Sequence, residues 1–380
     1  MSVALSGADV PRWVGYVLIP AINLALALFV SGLVILIIGE NPIEAGRILL
    51  LGAFGDGDFI PHSYAIGYTL YYATNFIFTG LCFALAFHCG LFNIGGEGQA
   101  YIGGLGVGLA CLYLDFLPFL LVFPLAILAA AAFGAGWAFI PGYLQAKRGS
   151  HVVITTIMFN FIASSLMVYL MVNVLIRPGQ QSPESRPFAD HIGLPQMHEM
   201  AAWFGADFSS SPMNLSFVFA LFMCLIVWLL IWRTRWGFEL RTVGQSPQAA
   251  VYGGISPSRN IILAMALSGA LAGFVGINEI MGVHERLLLN FAAGYGFGGI
   301  AVALMGRNHP VGIVLASILF GILYQGGAEL SFEMPTITRE MIVVIQGLVI
   351  LFAGALENMF RPRIEALFRR PAPSVAATAH

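Results

Sequence analysis

Two carboxylates stand where carboxylates are costly. Glu97 lies in the glycine-rich stretch GLFNIGGEGQ at 90–99, between apolar runs, and Glu279 follows Asn278 near the end of another apolar run. A charge at the centre of a bilayer costs at least about 2.5 kcal/mol on insertion scales. Each carboxylate must therefore be paired, protonated, hydrogen-bonded or wet. Two readings stay open. Both residues could line a pathway that meets a polar solute. Alternatively Glu97 satisfies the amides of its loop and Glu279 reaches the headgroup region. Asn93, Gln99, Thr155, Thr156 and Asn160 are further polar groups that could face such a pathway or bond between helices. Phe92, Phe291 and Tyr295 could form an aromatic constriction or simply pack.

Other patterns fail on context. Gly294 to Gly299 satisfies GxGxxG by letter, but no βαβ unit surrounds it. His284–Glu285 has no second His at metalloprotease spacing, and His62, His88, His151 and His309 are scattered. Cys82, Cys89, Cys111 and Cys224 show no CxxC spacing and read as small packing residues. No Ser/His/Asp set is visible, so the chain does not read as an enzyme. A P-loop needs Lys followed by Ser or Thr, whereas the single lysine, Lys147, precedes Arg148. Any ATP must be used by another subunit, and no cofactor is expected in this chain.

The elements that position these residues are apolar. The chain is 58% hydrophobic and 9% charged, against about 25% charged in soluble domains. Its net charge of −2 gives no reason to expect nucleic acid as a partner. The pattern predicts an all-α polytopic membrane protein of about ten transmembrane helices, with broken or re-entrant Gly-rich segments. Apolar runs fall at 14–38, 65–88, 100–115, 117–146, 151–176, 215–232, 259–282, 294–305, 310–328 and 339–358. The first is too long for a signal-peptide core and reads as a retained helix. An amphipathic helix is expected after Asn41–Pro42. The run 294–305 is the shortest and either spans or re-enters. Glycine breaks at 92–99 and 291–299 stand at comparable places in the two halves, as in transporters that build a pathway from interrupted helices. The pairs Gly104/Gly108 and Gly269/Gly273 have the spacing of close helix packing. Residues 1–360 read as one transmembrane domain and 361–380 as a basic, then Pro/Ala-rich tail. With both termini cytoplasmic, twelve of the seventeen Lys and Arg residues fall inside. Segment 177–214 is then extracytoplasmic and loop 233–259 cytoplasmic.

That loop reads as a device. Ser246 can cap a helix with Pro247 at its first position. The helix runs on through Gln248, Ala249, Ala250 and Tyr252, and Gly253 and Gly254 can end it in a left-handed cap. Ser256–Pro257 repeats the signal at the start of the next membrane helix. A helix of about two turns is unstable alone, so it is expected to dock, as a cytoplasmic coupling helix.

Three stretches carry a resemblance: GLFNIGGEGQAYIGG at 90–104, LRTVGQSPQAAVYGGIS at 240–256 leading into LSGALAGFVGINEIMG at 267–282, and GYGFGGIAVALMGRNHPVG at 294–312. The sequence resembles the permease subunits of ABC importers of the simple-sugar, nucleoside and branched-chain amino acid group, and FNIGGEGQ looks like the nucleoside and simple-sugar branch. The resemblance implies a fold close to that of the ribose permeases. It also implies a second permease subunit, a cytoplasmic ATPase that uses the ATP, and an extracytoplasmic substrate-binding protein. The ATPase contact would fall on Gly244 to Ile255, and the chain would sit in the bacterial inner membrane among its lipids. The implied function is a translocation pathway for nucleosides or related simple sugars. An ion- or proton-coupled secondary transporter is the alternative, with Glu97 and Glu279 as its titrating groups.

Overall fold

The computed structural model describes Val14 and residues 18–177 and 179–352. Regular structure among them is helical, and the β pairing among them is two isolated bridges, Glu184 with Leu288 and Gln196 with Asn214. The chain forms two compact units, one of 1–47 with 330–380 and one of 48–329.

In the smaller unit, α1 (Ile19–Ile38) ends at Gly39, whose left-handed φ of +97° closes the last turn. Asn41 then accepts from the amide of Ile43 and starts α2 (Pro42–Phe54). Helix α14 (Arg339–Ile350) packs on α1, and the Thr336 hydroxyl donates to Glu40. The expected tail at 361–380 lies outside the described residues.

In the larger unit, the long helices are α3 (His62–His88), α5 (Phe119–Tyr143), α6 (Val152–Asn173), α8 (Ser216–Arg233), α11 (Pro257–Gly273) and α13 (Pro310–Glu333, mostly in this unit). Two shorter helices start inside it: α4 (Gly96–Tyr113) and α12 (Tyr295–Met305). Small residues hold the centre. A β-carbon on Gly269 would stand 2.3 Å from the Gly134 carbonyl of α5, and one on Gly103 would stand 2.1 Å from Gly273 of α11. The predicted Gly269/Gly273 pair is thus where α11 touches α5 and α4. Gly104 and Gly108 receive Phe291 and Leu287.

Among the described residues, six helices are long and apolar enough to cross a membrane, or seven if the bent pair α1–α2 counts as one span. The chain is a multi-pass membrane protein; among the described residues the long spans are fewer than the ten apolar runs, of which 14–38 and 339–358 lie partly outside those residues. Helix α4 falls short because its 18 residues include Glu97, Gln99 and six glycines. At 11 residues, α12 is only about 16 Å long at 1.5 Å per residue, too short for a core of about 30 Å.

The segment 177–214 is a strap. Ser185, Phe188 and Leu194 donate main-chain bonds to Leu287, Glu285 and Met281, and a short helix, α7 (Met197–Trp203), sits in it behind a Gln196–Glu199 capping box. Arg186 reaches Asp115 at 2.7 Å and Arg286 reaches Glu184 at 3.0 Å. The Ser182 hydroxyl and Arg286 together hold the Glu184 carboxyl below the usual carboxylate range.

Candidate functional site

The glycine breaks are where the chain departs from continuous helix. Helix α3 ends at His88, residues 89–95 are irregular, and α4 begins at Gly96. After α11 comes a π-helical segment, Ile277–His284, then irregular chain to Gly294, then α12. The first turns of α4 and α12 meet. A β-carbon on Gly296 would lie 2.1 Å from the amide nitrogen of Glu97, so only glycine allows the approach.

Glu97 sits at this meeting point. Its two carboxylate oxygens accept from the amides of Gly294 at 2.9 Å and Gly296 at 2.8 Å. Those N–H groups belong to the first turn of α12, which has no partners of its own for them. One carboxylate in the first turn of α4 therefore caps α12 as well, where both helix dipoles favour negative charge. The sequence left Glu97 between a pathway role and amide capping. The amides it satisfies are not those of its own loop but lie 197 and 199 residues away.

The rest of the first break is tied down. Asn93 donates to Gln99 at 3.0 Å and Ser268 at 2.8 Å, and accepts from Gly95. Asn160 on α6 accepts from Gly98 and donates to the Ile94 carbonyl. Phe92 packs edge-on against Phe83 yet stays partly exposed. Thr155 and Thr156 bond back to their own helix. Phe291 stacks on Tyr101, while Tyr295 packs edge-on against Phe76.

Glu279 does not reach the headgroups. Its side chain is buried on the π-helical segment, where the Tyr71 hydroxyl donates to it at 2.7 Å and Asn75 at 2.5 Å. His284 stands 3.4 Å away. Neighbouring Asn278 joins Asn75, Asn214, Ser216 and the Tyr71 carbonyl. π-helical turns inside α-helices often mark functional sites; here the wider turn brings Asn278 and Glu279 into one buried network. Sequence reasoning missed Tyr71, Asn75, Asn214, Ser216 and His284. The Tyr71/Asn75 spacing of four within an apolar run was the available signal.

The polar loop is largely helical. Thr234 caps α9 (Arg235–Gln245), which buries Gly237, Leu240 and Val243. Ser246 accepts from the Ala249 amide and caps α10 (Pro247–Tyr252), and Ser256 does the same for α11 through Arg259. Gly254, not Gly253, takes the left-handed conformation, with φ +74°. Ala250 is fully buried, whereas Pro247, Gln248, Ala249, Val251 and Tyr252 face out, Tyr252 at 95% exposure. Ile255 closes the turn by donating to the Ala250 carbonyl. Beside it a recess of about 380 Å³ carries Lys147 and Arg259. Gly244 locks α9 to the first break: a β-carbon there would stand 2.2 Å from the His88 carbonyl. The exposed helix α10 and the buried break are thus joined through one close backbone contact.

Known proteins resemble this chain in sequence. Over 341 residues the chain is 35% identical to the guanosine ABC transporter permease protein NupP of Bacillus subtilis, covering 90% of this chain and 93% of that one. It is 33% identical to the nucleoside ABC transporter permease protein NupB of Lactococcus lactis, over 92% and 94% of the two chains. Identity to the glucose ABC transporter permease protein TsgB13 of Haloferax volcanii is 31%, over 95% and 93%. Residues 65–354, which include both breaks and the capped loop, match the family described as branched-chain amino acid transport system / permease component, and the chain belongs to that family of transport permeases.

Proposed function

We propose that this chain is the membrane-spanning subunit of an ATP-driven importer of nucleosides or related simple sugars in a bacterial inner membrane. It works with a cytoplasmic ATPase, a second permease subunit and an extracytoplasmic binding protein. Residues 1–360 form one permease domain with ten crossings of ribose-permease type and both termini cytoplasmic. Two crossings are composite: an irregular stretch and a half-helix share each, at 89–113 and 285–305. This accounts for the short α12 without changing the parity of the topology, because Asn308 bonds His88 on the α10 side.

The observation that carries the reading is α10: capped, seated by Ala250, and showing Val251 and Tyr252 to solvent. A six-residue helix with exposed apolar side chains is built to be covered. The ATPase docks on Gly244 to Ile255, its closure moves α9 and α10, and Gly244 passes the movement to the break at 89–95. Phe92, Glu97 and Asn160 border the pathway; Asn93, Gln99, Glu279, Phe291 and Tyr295 brace its wall. Ala250→Trp tests this, since it unseats α10 while leaving the spans intact. Uptake should fall while the complex still hydrolyses ATP; normal ATP-driven uptake in that variant would sink the coupling role.

The buried Glu279 and its neighbour His284 keep a second reading in play, proton-coupled transport. A protonophore that abolishes uptake while ATP is held constant would favour it.

A further inference from the structure

Helix α3 begins at the end of its unit opposite α10, beside Ser209 and Ser211 of the strap. Tyr64, Tyr68 and Tyr72 recur there every fourth residue, which places them on one stripe. All three are only half-buried, whereas every residue from Ala73 to Ala86 is buried. The accessible stripe therefore stops partway along the helix. Tyr72 lies ten residues past His62, about 15 Å along the axis. From Tyr64 to Tyr72 the stripe runs about 12 Å, longer than a single interfacial ring of tyrosines.

The rings continue inward. Tyr64 and Tyr68 have centroids 4.7 Å apart. Half-buried Tyr324 of α13 stands 5.6 Å from Tyr72 and 6.2 Å from Tyr295, the first residue of α12. Tyr68 and Tyr72 stand one helical turn apart on the same stripe, so the rings lead from the strap toward the junction of the two half-helices. The buried polar groups nearby are already bonded: Asn75, Asn278 and Glu279 to one another, and Gln325, beside Tyr324, to Glu329.

We propose that Tyr64, Tyr68, Tyr72 and Tyr324 form a stacking ladder that conducts the flat face of a nucleobase from the binding-protein side to the Glu97 junction. This rests on the importer reading and narrows its substrate class. A free sugar can lay a C–H face on a ring, but it carries a hydroxyl on nearly every carbon and needs polar partners around its whole rim. A nucleoside presents one π-face and one polar edge, which suits a column of rings with few uncommitted polar groups. Base–aromatic stacking tolerates different bases, because each has a π-face.

The test is initial uptake of tritiated guanosine and of labelled glucose by the assembled importer, with substitutions at Tyr72 and Tyr324. Tyr72→Leu keeps apolar volume without a ring, and Tyr72→Phe keeps the ring without the hydroxyl. Leu at either position should lower guanosine uptake about tenfold, and Phe should retain at least half. Full guanosine uptake by both Leu variants, or an equal loss with Phe, overturns the ladder while leaving the importer reading intact. A wild-type importer that carries glucose and no guanosine overturns the nucleobase assignment itself. Should the Leu variants fail to assemble, photolabelling of the wild-type complex with 8-azidoguanosine decides. Label on Tyr64 to Tyr72 or on Tyr324 supports the ladder, and label confined elsewhere overturns it.

Discussion

Replacing Glu97 with Ala removes the acceptor of two amide bonds, 2.9 and 2.8 Å long, at the start of α12. Hydrogen bonds to a charged group contribute roughly 1.5–3 kcal/mol each, so the pair is worth roughly 3–6 kcal/mol gross. Removing a half-buried carboxylate also relieves its desolvation penalty, which leaves a net loss of about 2–4 kcal/mol. At a factor of ten per 1.4 kcal/mol that is an equilibrium shift of about 30- to 700-fold. The loss is local to the first turn of α12, so amide hydrogen exchange is the matching assay. Peptides covering 294–300 of the purified protein should lose protection by that factor, while the Ser216–Arg233 helix should not change. Glu97→Gln keeps one acceptor oxygen but turns an NH2 toward the other amide. It should show about half the free-energy loss, near 5- to 30-fold. Wild-type protection at 294–300 in Glu97→Ala would refute the capping argument. If Gln transports as well as Glu at every pH tested, the hydrogen bonds matter there and the charge does not.

Other perturbations follow from the same geometry. Gly296→Ala drives a β-carbon to 2.1 Å from the Glu97 nitrogen and should prevent the half-helices from meeting, whereas Gly136→Ala meets nothing within 4 Å and should be neutral; equal yields of folded protein would contradict this. Ser246→Ala removes the α10 cap, a loss of about 1 kcal/mol, and should raise protease nicking at 247–254 without unfolding the spans. Glu279→Gln leaves the donors on Tyr71 and Asn75 with one oxygen between them and should lower the thermal midpoint, with Tyr71→Phe in the same background adding little further. Glu184, held below its ordinary value of 4.5, contributes stability that is present above that value and lost as pH falls through its lowered pKa. A nitroxide at Pro183 should therefore be immobile at pH 6 and freed in acid, and Arg286→Ala should free it at pH 6; an immobile label in that variant would refute the pairing.

Local signals were the legible ones. Ser246 and Ser256 cap the helices that follow them because a cap needs only the next three residues. The runs at 65–88 and 151–176 became α3 and α6 with small changes at their ends, because apolar length decides membrane helices. The Gly269 spacing also marked a true close approach. What stayed hidden depends on distant pairing. Glu97 finds Gly294 and Gly296 only through the fold. Glu279 looked like a residue at a span's end because nothing local announces the π-helical turn that buries it. Helix α9 was absorbed into a polar loop, although Thr234 with Leu240 and Val243 offered a cap and a short apolar stripe. The depth of α12 was undecidable from 11 apolar residues, since only its contact with α4 shows that it starts inside the protein.

Photo-crosslinking from α10 shows directly whether an ATPase sits on it. A p-benzoylphenylalanine at Tyr252, 95% exposed on that helix, is irradiated in native membranes, and the adduct is purified and identified by mass spectrometry. The importer account predicts a crosslink to a P-loop ATPase, lost when Ala250→Trp unseats the helix. A chain that yields no ATPase adduct, purifies alone and still takes up solute in ATP-free liposomes would contradict it.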